Sequence, residues 1–138
     1  MSEITGISIK LPWPPSVNNY WKPSKHSHGN KTRRGLVRTK EADAYKLAVL
    51  QTCMLGKIMN KRLSGPLTVH IEAYVPDRRK RDIDNIRKAI YDALTDANVW
   101  DDDSQIMRDS AEKIYPPVKG GFVLVHIAPY SQATNKEQ

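Results

Sequence analysis

The chain has 138 residues, enough for one domain with a single buried core. It contains no run of about 18 apolar residues, which excludes a membrane-spanning helix, and its one cysteine, Cys53, excludes an intrachain disulfide. Its formal charge of +7 favours a polyanionic partner, because the charge is unevenly distributed: Lys22 to Lys40 contains seven basic residues and no acid. No signal-peptide pattern is present, so we expect a cytoplasmic protein.

The first third of the chain predicts one strand and two loops of different character. Ile7, Ile9 and Leu11 alternate with polar residues, which is the period of a half-buried strand. Prolines end this strand, and the segment up to Trp21 combines prolines with aromatic side chains suited either to core packing or to stacking on bases. The basic segment from Ser24 to Gly35 is expected to be a loop that becomes ordered on a phosphate backbone.

The next segment predicts a long helix. Thr39 is suited to be its N-cap, and the helix is expected to end at about Met59. Apolar residues at helical spacing form one stripe: Leu47, Leu50, Met54 and Ile58. Other apolar residues lie away from the stripe: Tyr45, Ala48, Val49 and Leu55. We therefore expect this helix to be covered on two sides, by its own sheet and by a partner subunit.

The clearest strand in the sequence follows a break at residues 64–66. Apolar and polar residues alternate strictly from Leu67 to Val75, and His70 is expected to be a solvent-side or hydrogen-bonded strand residue rather than a catalyst. Two later segments, from Ile106 to Tyr115 and from Phe122 to Ala128, also predict strands, separated by a turn rich in proline and glycine.

A second helix is predicted from Ile83 to about Ala97. Its apolar face repeats at helical spacing: Ile83, Ile86, Ile90, Ala93, Leu94 and Ala97. At about 100° per residue, Asp84, Lys88 and Tyr91 lie within about 60° of one another on roughly the opposite face. We expect Tyr91 either to face DNA or to contact a partner subunit.

The order of elements is β-α-β-α-β-β, with no internal repeat. It predicts an α+β fold (two-layer α/β): a single small domain in which a mixed β-sheet carries two main helices. Residues 1–130 form this domain, and residues 131–138 form a polar tail.

Two acidic clusters flank the entry and exit of the second helix. The basic run from Arg78 to Arg81 leads directly into Asp82 and Asp84, and Asp101 to Asp103 follow the helix. Phosphodiester hydrolysis needs charge compensation at phosphate and a nucleophilic water, which Mg²⁺ held by carboxylates supplies. The pattern thus points to a site in which Asp82 and Asp84 converge and Asp103, or a neighbour, completes the ligand set. Lys88, one turn beyond Asp84, is suited to stabilise phosphate charge.

Each of these features also has a structural explanation. Asp82 is a good N-cap, and Asp84 with Lys88 is an ordinary i,i+4 pair worth about 0.3–0.5 kcal/mol. The three aspartates are compatible with a solvated loop. Together, these explanations leave open why a basic protein concentrates acid on both sides of its most basic helix entry.

At these residues the sequence resembles the RusA family of Holliday junction resolvases (crossover junction endodeoxyribonucleases). The similarity includes LPWPPSVNNYW, VPDRRKRDIDNIRKAIYDALTDANVWDDDSQI and KGGFVLVHI, so it covers nearly the whole domain. The resemblance implies a small α/β homodimer that presents two sites to opposing strands of a four-way junction.

The resemblance also implies roles for individual residues. Asp82, Asp84 and Asp103 would bind Mg²⁺, for which Mn²⁺ is a candidate substitute, and Lys88 would be the catalytic lysine. The residues expected to contact DNA are the basic run, three residues of the basic loop and one loop asparagine: Arg78, Arg79, Lys80, Arg81, Lys31, Arg33, Arg34 and Asn18.

The favoured hypothesis is a magnesium-dependent, structure-selective DNA endonuclease that resolves four-way junctions by paired, symmetric cleavage in recombination and repair. The alternative from another class is a non-catalytic binder of branched DNA whose aspartates only cap and solubilise. A second alternative keeps the chemistry but acts generally on flaps and other branched DNA. A chain of this length fits a cellular gene or a mobile element such as a prophage.

Overall fold

The computed structural model describes residues 6–16, 21–23 and 36–131. In these ranges the elements are β1 (Ile7–Pro12), β2 (Trp21–Pro23), β3 (Leu36–Arg38), α1 (Lys40–Leu55), β4 (Leu67–Tyr74), α2 (Ile83–Asp96), β5 (Ile106–Ile114) and β6 (Phe122–Pro129). A 3₁₀ turn, Asp103–Gln105, precedes β5. The predicted α+β architecture and its order of main elements are confirmed. No helix in the described ranges has the length and apolarity needed to cross a bilayer.

The main sheet has four strands in the order β1-β6-β4-β5. β6 is antiparallel to both β1 and β4, whereas β4 and β5 are parallel and are connected through α2. A parallel pair requires such a crossover, so α2 is held across the β4–β5 side of the sheet. β2 and β3 form a separate antiparallel pair, and these three-residue strands are too short to give the alternation by which strands are predicted.

The two faces of the sheet have different surroundings. Odd-numbered residues of β4 and β6, such as Val69, Ile71 and Val125, are buried in one apolar core together with residues of both helices. Even-numbered residues of the same strands are only half-buried and form what we call the open face of the sheet. Strict alternation in β4 therefore predicted both the strand and its buried side.

The predicted apolar stripe of α1 does not form one buried face, although Leu50 packs against the core and Ile58, beyond the helix end, is buried. The residues buried on this helix are Ala42, Tyr45, Val49 and Cys53. Leu47 and Met54, which belong to the predicted stripe, are 53% and 52% exposed. Apolar residues occur on several sides of α1, so spacing alone did not identify the core face. The Tyr45 hydroxyl fixes the helix to β1 by donating to the Pro12 carbonyl at 2.8 Å.

The ends of α1 follow local capping rules. The predicted N-cap is confirmed, since Thr39 Oγ1 accepts a hydrogen bond from the Ala42 backbone at 3.2 Å. The helix ends at Leu55, not near Met59, because Lys57 adopts a left-handed conformation with φ of 61°. The backbone N–H groups of Lys57 and Ile58 then bond to carbonyls of the last turn, which closes a Schellman motif.

The predicted core face of α2 is confirmed at Ile86, Ile90 and Leu94, among others. The prediction for Tyr91 is wrong, because this residue is only 8% exposed and its ring packs edge-on against Trp100 at 5.8 Å. Its packing partners belong to its own chain, so Tyr91 does not offer an aromatic face to DNA or to a second subunit.

The turn between β5 and β6 packs against the segment that leads into the basic run. Gly121 has φ of 64°, and a β-carbon there would lie 2.9 Å from Pro76 Cδ. The Val118 N–H also donates to the Val75 carbonyl at 2.8 Å. Only glycine allows this close approach, which fixes the exit of β4 against the turn between β5 and β6.

Candidate active site

The predicted carboxylates Asp82 and Asp84 lie at the amino end of α2, directly after the basic run. Asp82 is the N-cap, and its Oδ1 accepts a hydrogen bond from the Asp84 backbone N–H at 3.0 Å. Both side chains are exposed, and the amino end of a helix favours negative charge. Capping occupies one carboxylate oxygen of Asp82, so it does not prevent this residue from binding a cation.

Asp84 pairs with Arg87 and not with Lys88. Arg87 Nη1 donates to Asp84 Oδ1 at 2.7 Å, an i,i+3 contact. The Lys88 side chain is exposed, and its ammonium makes no hydrogen bond or ion pair with the part of the chain that the structure describes. The expected i,i+4 pair is therefore not formed, and the charge of Lys88 is available to an incoming phosphate.

Polar contacts continue from Arg87 to β5. Arg87 Nε lies 3.3 Å from Asp109 Oδ2, and the same oxygen accepts a hydrogen bond from the Tyr91 hydroxyl at 3.3 Å. Arg87 Nε is buried and has no hydrogen bond of good geometry, so its contact with Asp109 is electrostatic. We call Asp84, Arg87, Tyr91 and Asp109 the Arg87 network.

The charge of Asp103 acts on the same network. Burial raises the pKa of Tyr91 above its ordinary value, and the carboxylates of Asp109 and Asp103 raise it further. An effect of Asp103 on this phenol requires that its carboxylate lie nearby. Asp84 thus belongs to the Arg87 network at the start of α2, and Asp103 lies close enough to its Tyr91 to act on the phenol from beyond the end of the helix.

The three consecutive aspartates have different contacts. Asp101 pairs with Arg62 at 3.2 Å, and Asp102 Oδ2 accepts a hydrogen bond from the Ser104 hydroxyl at 2.6 Å. Asp103 begins the 3₁₀ turn, and its exposed carboxylate has no such partner among the described residues. Of the three, Asp103 thus has the carboxylate that is most available to a ligand.

The described residues contain one compact set of metal-binding groups, and it is not the predicted one. Ligand atoms of His70, Glu72 and Glu112 all lie within 4.8 Å of one another on the open face of the sheet. The three predicted aspartates form no set of this compactness. A cation at the predicted site would therefore have to draw these exposed side chains together.

The basic run lies beside the acidic helix start. Residues Arg78 to Lys80 are exposed, whereas Arg81 donates to Asp77 Oδ1 at 2.7 Å and lies over the Trp13 ring at 5.5 Å. The hydrogen bond from Arg81, with a second from the Arg79 backbone, lowers the pKa of Asp77 to about 2. The loop is thus held in place by Arg81, while the three side chains before it are exposed, with Arg78 over the Tyr115 ring and Arg79 Nε 3.8 Å from Asp77 Oδ2.

A cleft of about 340 Å³ opens between the proline-rich loop and the basic run. Its lining combines apolar, basic and acidic groups: Trp13, Pro14, Pro15, Ser16, Arg79, Lys80, Arg81, Asp82, Asn85 and Ile86. The cleft therefore places an aromatic ring, cationic side chains and one predicted metal ligand around the same space. The other predicted DNA contacts, Asn18, Lys31, Arg33 and Arg34, fall outside the described residues.

Two members of the Arg87 network, Arg87 and Asp109, were not predicted from the sequence. The i,i+3 spacing of Asp84 and Arg87 is a signal that could have identified the first pair. Asp109 had no signal of its own, because its proximity to α2 depends on the register of a parallel strand pair.

A cationic cleft beside exposed carboxylates on a small α+β domain is typical of an enzyme that cleaves nucleic acid.

Comparisons with known proteins agree with this class. The family model described as "Endodeoxyribonuclease RusA" matches residues 12–125. The chain is 39% identical over 113 residues to the crossover junction endodeoxyribonuclease rusA of Enterobacteria phage 82. The match covers 82% of this chain and 86% of that protein. It is 40% identical over 114 residues to the crossover junction endodeoxyribonuclease RusA of Escherichia coli strain K12, covering 83% and 87% of the two chains. The chain belongs to the RusA family of endodeoxyribonucleases.

Proposed function

We propose that this chain is a magnesium-dependent, structure-selective endonuclease that resolves four-way DNA junctions by paired, symmetric cleavage. The observation that carries the proposal is the pair of exposed carboxylates, Asp82 and Asp84, at a helix start that borders a cationic cleft. Membership of an endodeoxyribonuclease family supports the reaction type. The names of the relatives, which specify crossover junctions, support the substrate.

The chemistry of the donor set fits a hard divalent cation. Asp82, Asp84 and Asp103 offer only carboxylate oxygens, which Mg²⁺ prefers, and all three are exposed enough to share a hydrated ion. When bound, such a cation neutralises phosphate charge and lowers the pKa of water. Arg87 occupies one oxygen of Asp84 and leaves the other for this role.

The remaining steps belong to the chain's own side chains. The exposed residues Arg79 and Lys80 bind backbone phosphates at the cleft, which positions the strand beside Asp82. Lys88, one turn along α2, stabilises the negative charge that develops on the phosphoryl oxygens during attack. Trp13 offers a ring edge or face to a base or sugar at the opposite wall of the cleft.

Paired cleavage requires two such sites, and we propose that a homodimer supplies them. The exposed apolar surface of α1 supports a second copy as the partner, because Leu47, Met54 and Leu55 are 53%, 52% and 85% exposed. A symmetric dimer would present two identical sites to the two opposing strands of a junction. A monomer, in contrast, would cut the strands independently.

The test is cleavage of a synthetic four-way junction labelled on each strand in turn, with and without Mg²⁺. We expect paired, symmetric cuts from the wild type, and a loss of at least about a hundredfold in rate for Asp84→Asn and Asp103→Asn. Asp101→Asn is the matched control: it makes the same chemical change in the same cluster, at a residue that pairs with Arg62. Binding of the junction in Ca²⁺ should be retained by all variants.

Three results would contradict the proposal. Wild-type rates from Asp84→Asn would remove this carboxylate from the site. Binding without cleavage by the wild type in Mg²⁺ or Mn²⁺ would favour the non-catalytic binder. Equal cleavage of flap, linear duplex and junction at one salt concentration would favour a general nuclease for branched DNA.

A further inference from the structure

Polar side chains are aligned across the open face of the sheet, on the side away from α1, α2 and the Arg87 network. The register places His126 of β6 opposite His70 of β4, and each histidine has a serine on its outer neighbour: Ser8 on β1 and Ser110 on β5. The two imidazole rings are stacked, with centroids 6.1 Å apart. One row of four residues thus crosses all four strands.

The serines fix the orientation of both imidazoles. Ser110 Oγ lies 2.6 Å from His70 Nδ1, and Ser8 Oγ lies 2.7 Å from His126 Nδ1. With each Nδ1 occupied, each Nε2 is left for other ligands. A hydrogen bond to the second ring nitrogen is the arrangement usual for histidines that bind metal, because it sets the tautomer and the ring angle.

Two carboxylates lie beside these Nε2 atoms. His70 Nε2 lies 3.2 Å from Glu112 Oε2, and His126 Nε2 lies 3.5 Å from Glu72 Oε2. Glu72 and Glu112 are directly opposite each other on β4 and β5. Like charges at directly opposed positions destabilise a sheet, so this pair itself favours a cation between its members.

The ligand atoms are already close to the spacing that a metal needs. Those of His70, Glu72 and Glu112 lie within 4.8 Å of one another. A tetrahedral ion with bonds of about 2.1 Å requires separations of about 3.4 Å, so small rotations of exposed side chains are sufficient. His126, which pairs with Glu72, is the nearest candidate for a fourth ligand.

We propose that the open face binds a divalent transition-metal ion, with Zn²⁺ as the best match, through His70, Glu72 and Glu112, and with His126 completing the set. Mixed imidazole and carboxylate ligands favour such an ion over Mg²⁺, which prefers oxygen alone. This site is therefore distinct in chemistry and in position from the proposed nuclease site.

A metal here would join three strands. His70 and Glu72 belong to β4, Glu112 to the edge strand β5, and His126 to β6. The parallel β4–β5 pair is the one connected through α2, so the ion would fix the strand that also carries Asp109. Its role is structural, since it lies on the side of the sheet opposite to the carboxylates at the helix start.

The test is metal binding by the purified, metal-free protein, which does not depend on cleavage. We expect one Zn²⁺ per chain by titration calorimetry, a Co²⁺ absorption spectrum of tetrahedral type, and a rise in Tm of roughly 5 °C or more at saturating Zn²⁺. His70→Gln and Glu112→Gln should each weaken binding at least tenfold. Both residues are partly exposed, at 32% and 56% of the side chain, and circular dichroism checks that the variants fold.

Controls separate this site from other candidates. The double variant His26→Gln/His28→Gln removes the other two histidines of the chain, and Asp84→Asn alters the nuclease site. Both should bind Zn²⁺ like the wild type. The proposal is overturned if the wild type binds no Zn²⁺, if His70→Gln and Glu112→Gln bind normally, or if either control abolishes binding.

Discussion

At the scale of single residues, the position of Asp84 depends on Arg87. This guanidinium bonds to Asp84 at 2.7 Å and lies 3.3 Å from Asp109, so it connects the start of α2 to β5. A fixed carboxylate binds a cation at a lower entropic cost than one that rotates freely. Arg87 is therefore a positioning residue in the proposed site, although it need not touch DNA.

We predict that Arg87→Gln lowers the rate of junction cleavage about tenfold at saturating DNA and raises the Mg²⁺ concentration needed for half-maximal rate. Junction affinity in Ca²⁺ should change less than about twofold. Arg108→Gln is the control. It also removes one arginine charge, but Arg108 belongs to β5 and lies over the Tyr130 ring. Equal effects of the two variants would indicate a general electrostatic role instead.

A second prediction concerns Asp77, whose pKa is lowered to about 2, mainly by the hydrogen bond from Arg81. The pKa of Asp77 in the folded protein lies below the ordinary value of about 3.9. The ionised Asp77 carboxylate therefore stabilises the folded protein fully above a pH of about 3.9, and this stabilisation is lost as pH falls from about 4 to about 2. In Arg81→Gln, the pKa of Asp77 measured by NMR should rise towards 3.9. Arg78→Gln should leave it near 2, since Arg78 lies over the Tyr115 ring.

Sequence predicted those residues whose role follows from local position. Asp82 was expected as an N-cap because its side chain and the first turn of α2 are contiguous, and the structure confirms it. The contacts of Asp109 were not predictable, because they join residues that are distant in sequence through strand register. The same limit applies to Glu72 and Glu112, which are adjacent only across β4 and β5.

At the scale of elements, strands with strict alternation were predicted almost to the residue, as β4 illustrates. α1 was predicted as a helix covered on two sides, and the sequence did not identify which side faces the sheet, because its apolar residues surround the axis. Only the packed structure identifies Tyr45, Val49 and Cys53 as the core positions. Hydrophobic spacing fixes the orientation of an element only when the opposite side is polar, as it largely is in α2.

The buried face of α1 gives a stability prediction. Val49 is fully buried, so Val49→Ala should lower the free energy of unfolding by about 2 kcal/mol and lower Tm by several degrees. Val118→Ala makes the same chemical change at a residue that is 36% exposed, and should cost less than about 0.5 kcal/mol. Urea unfolding of both variants checks the difference, and equal losses would contradict the assignment of the core face.

At the scale of the whole molecule, the effect of the net charge of +7 on DNA binding depends on the positions of the basic residues. Arg79 and Lys80 border the cleft, whereas Lys57 and Lys61 lie beyond the end of α1, next to the carboxyl end of α2. Only the first pair is expected to neutralise phosphates. The two groups therefore provide a comparison at equal change in total charge.

We predict that Arg79→Gln/Lys80→Gln reduces the slope of log K against log salt by about 1.8 for junction binding in Ca²⁺. The double variant Lys57→Gln/Lys61→Gln should change this slope little. Gel-shift titrations between about 50 and 200 mM salt measure both. Equal slopes for the two double variants would mean that the basic run makes no specific contact with the DNA backbone.

The order of strands, β1-β6-β4-β5, could not be read from the sequence, and it has a consequence for the synthesis of the protein. β6 is the last described strand along the chain, yet it lies inside the sheet and bonds to both β1 and β4. Until it leaves the ribosome, β1 has no partner among the described strands and one edge of β4 stays open, which exposes two templates for aggregation. The nascent chain therefore completes its sheet only after translation has passed Pro129.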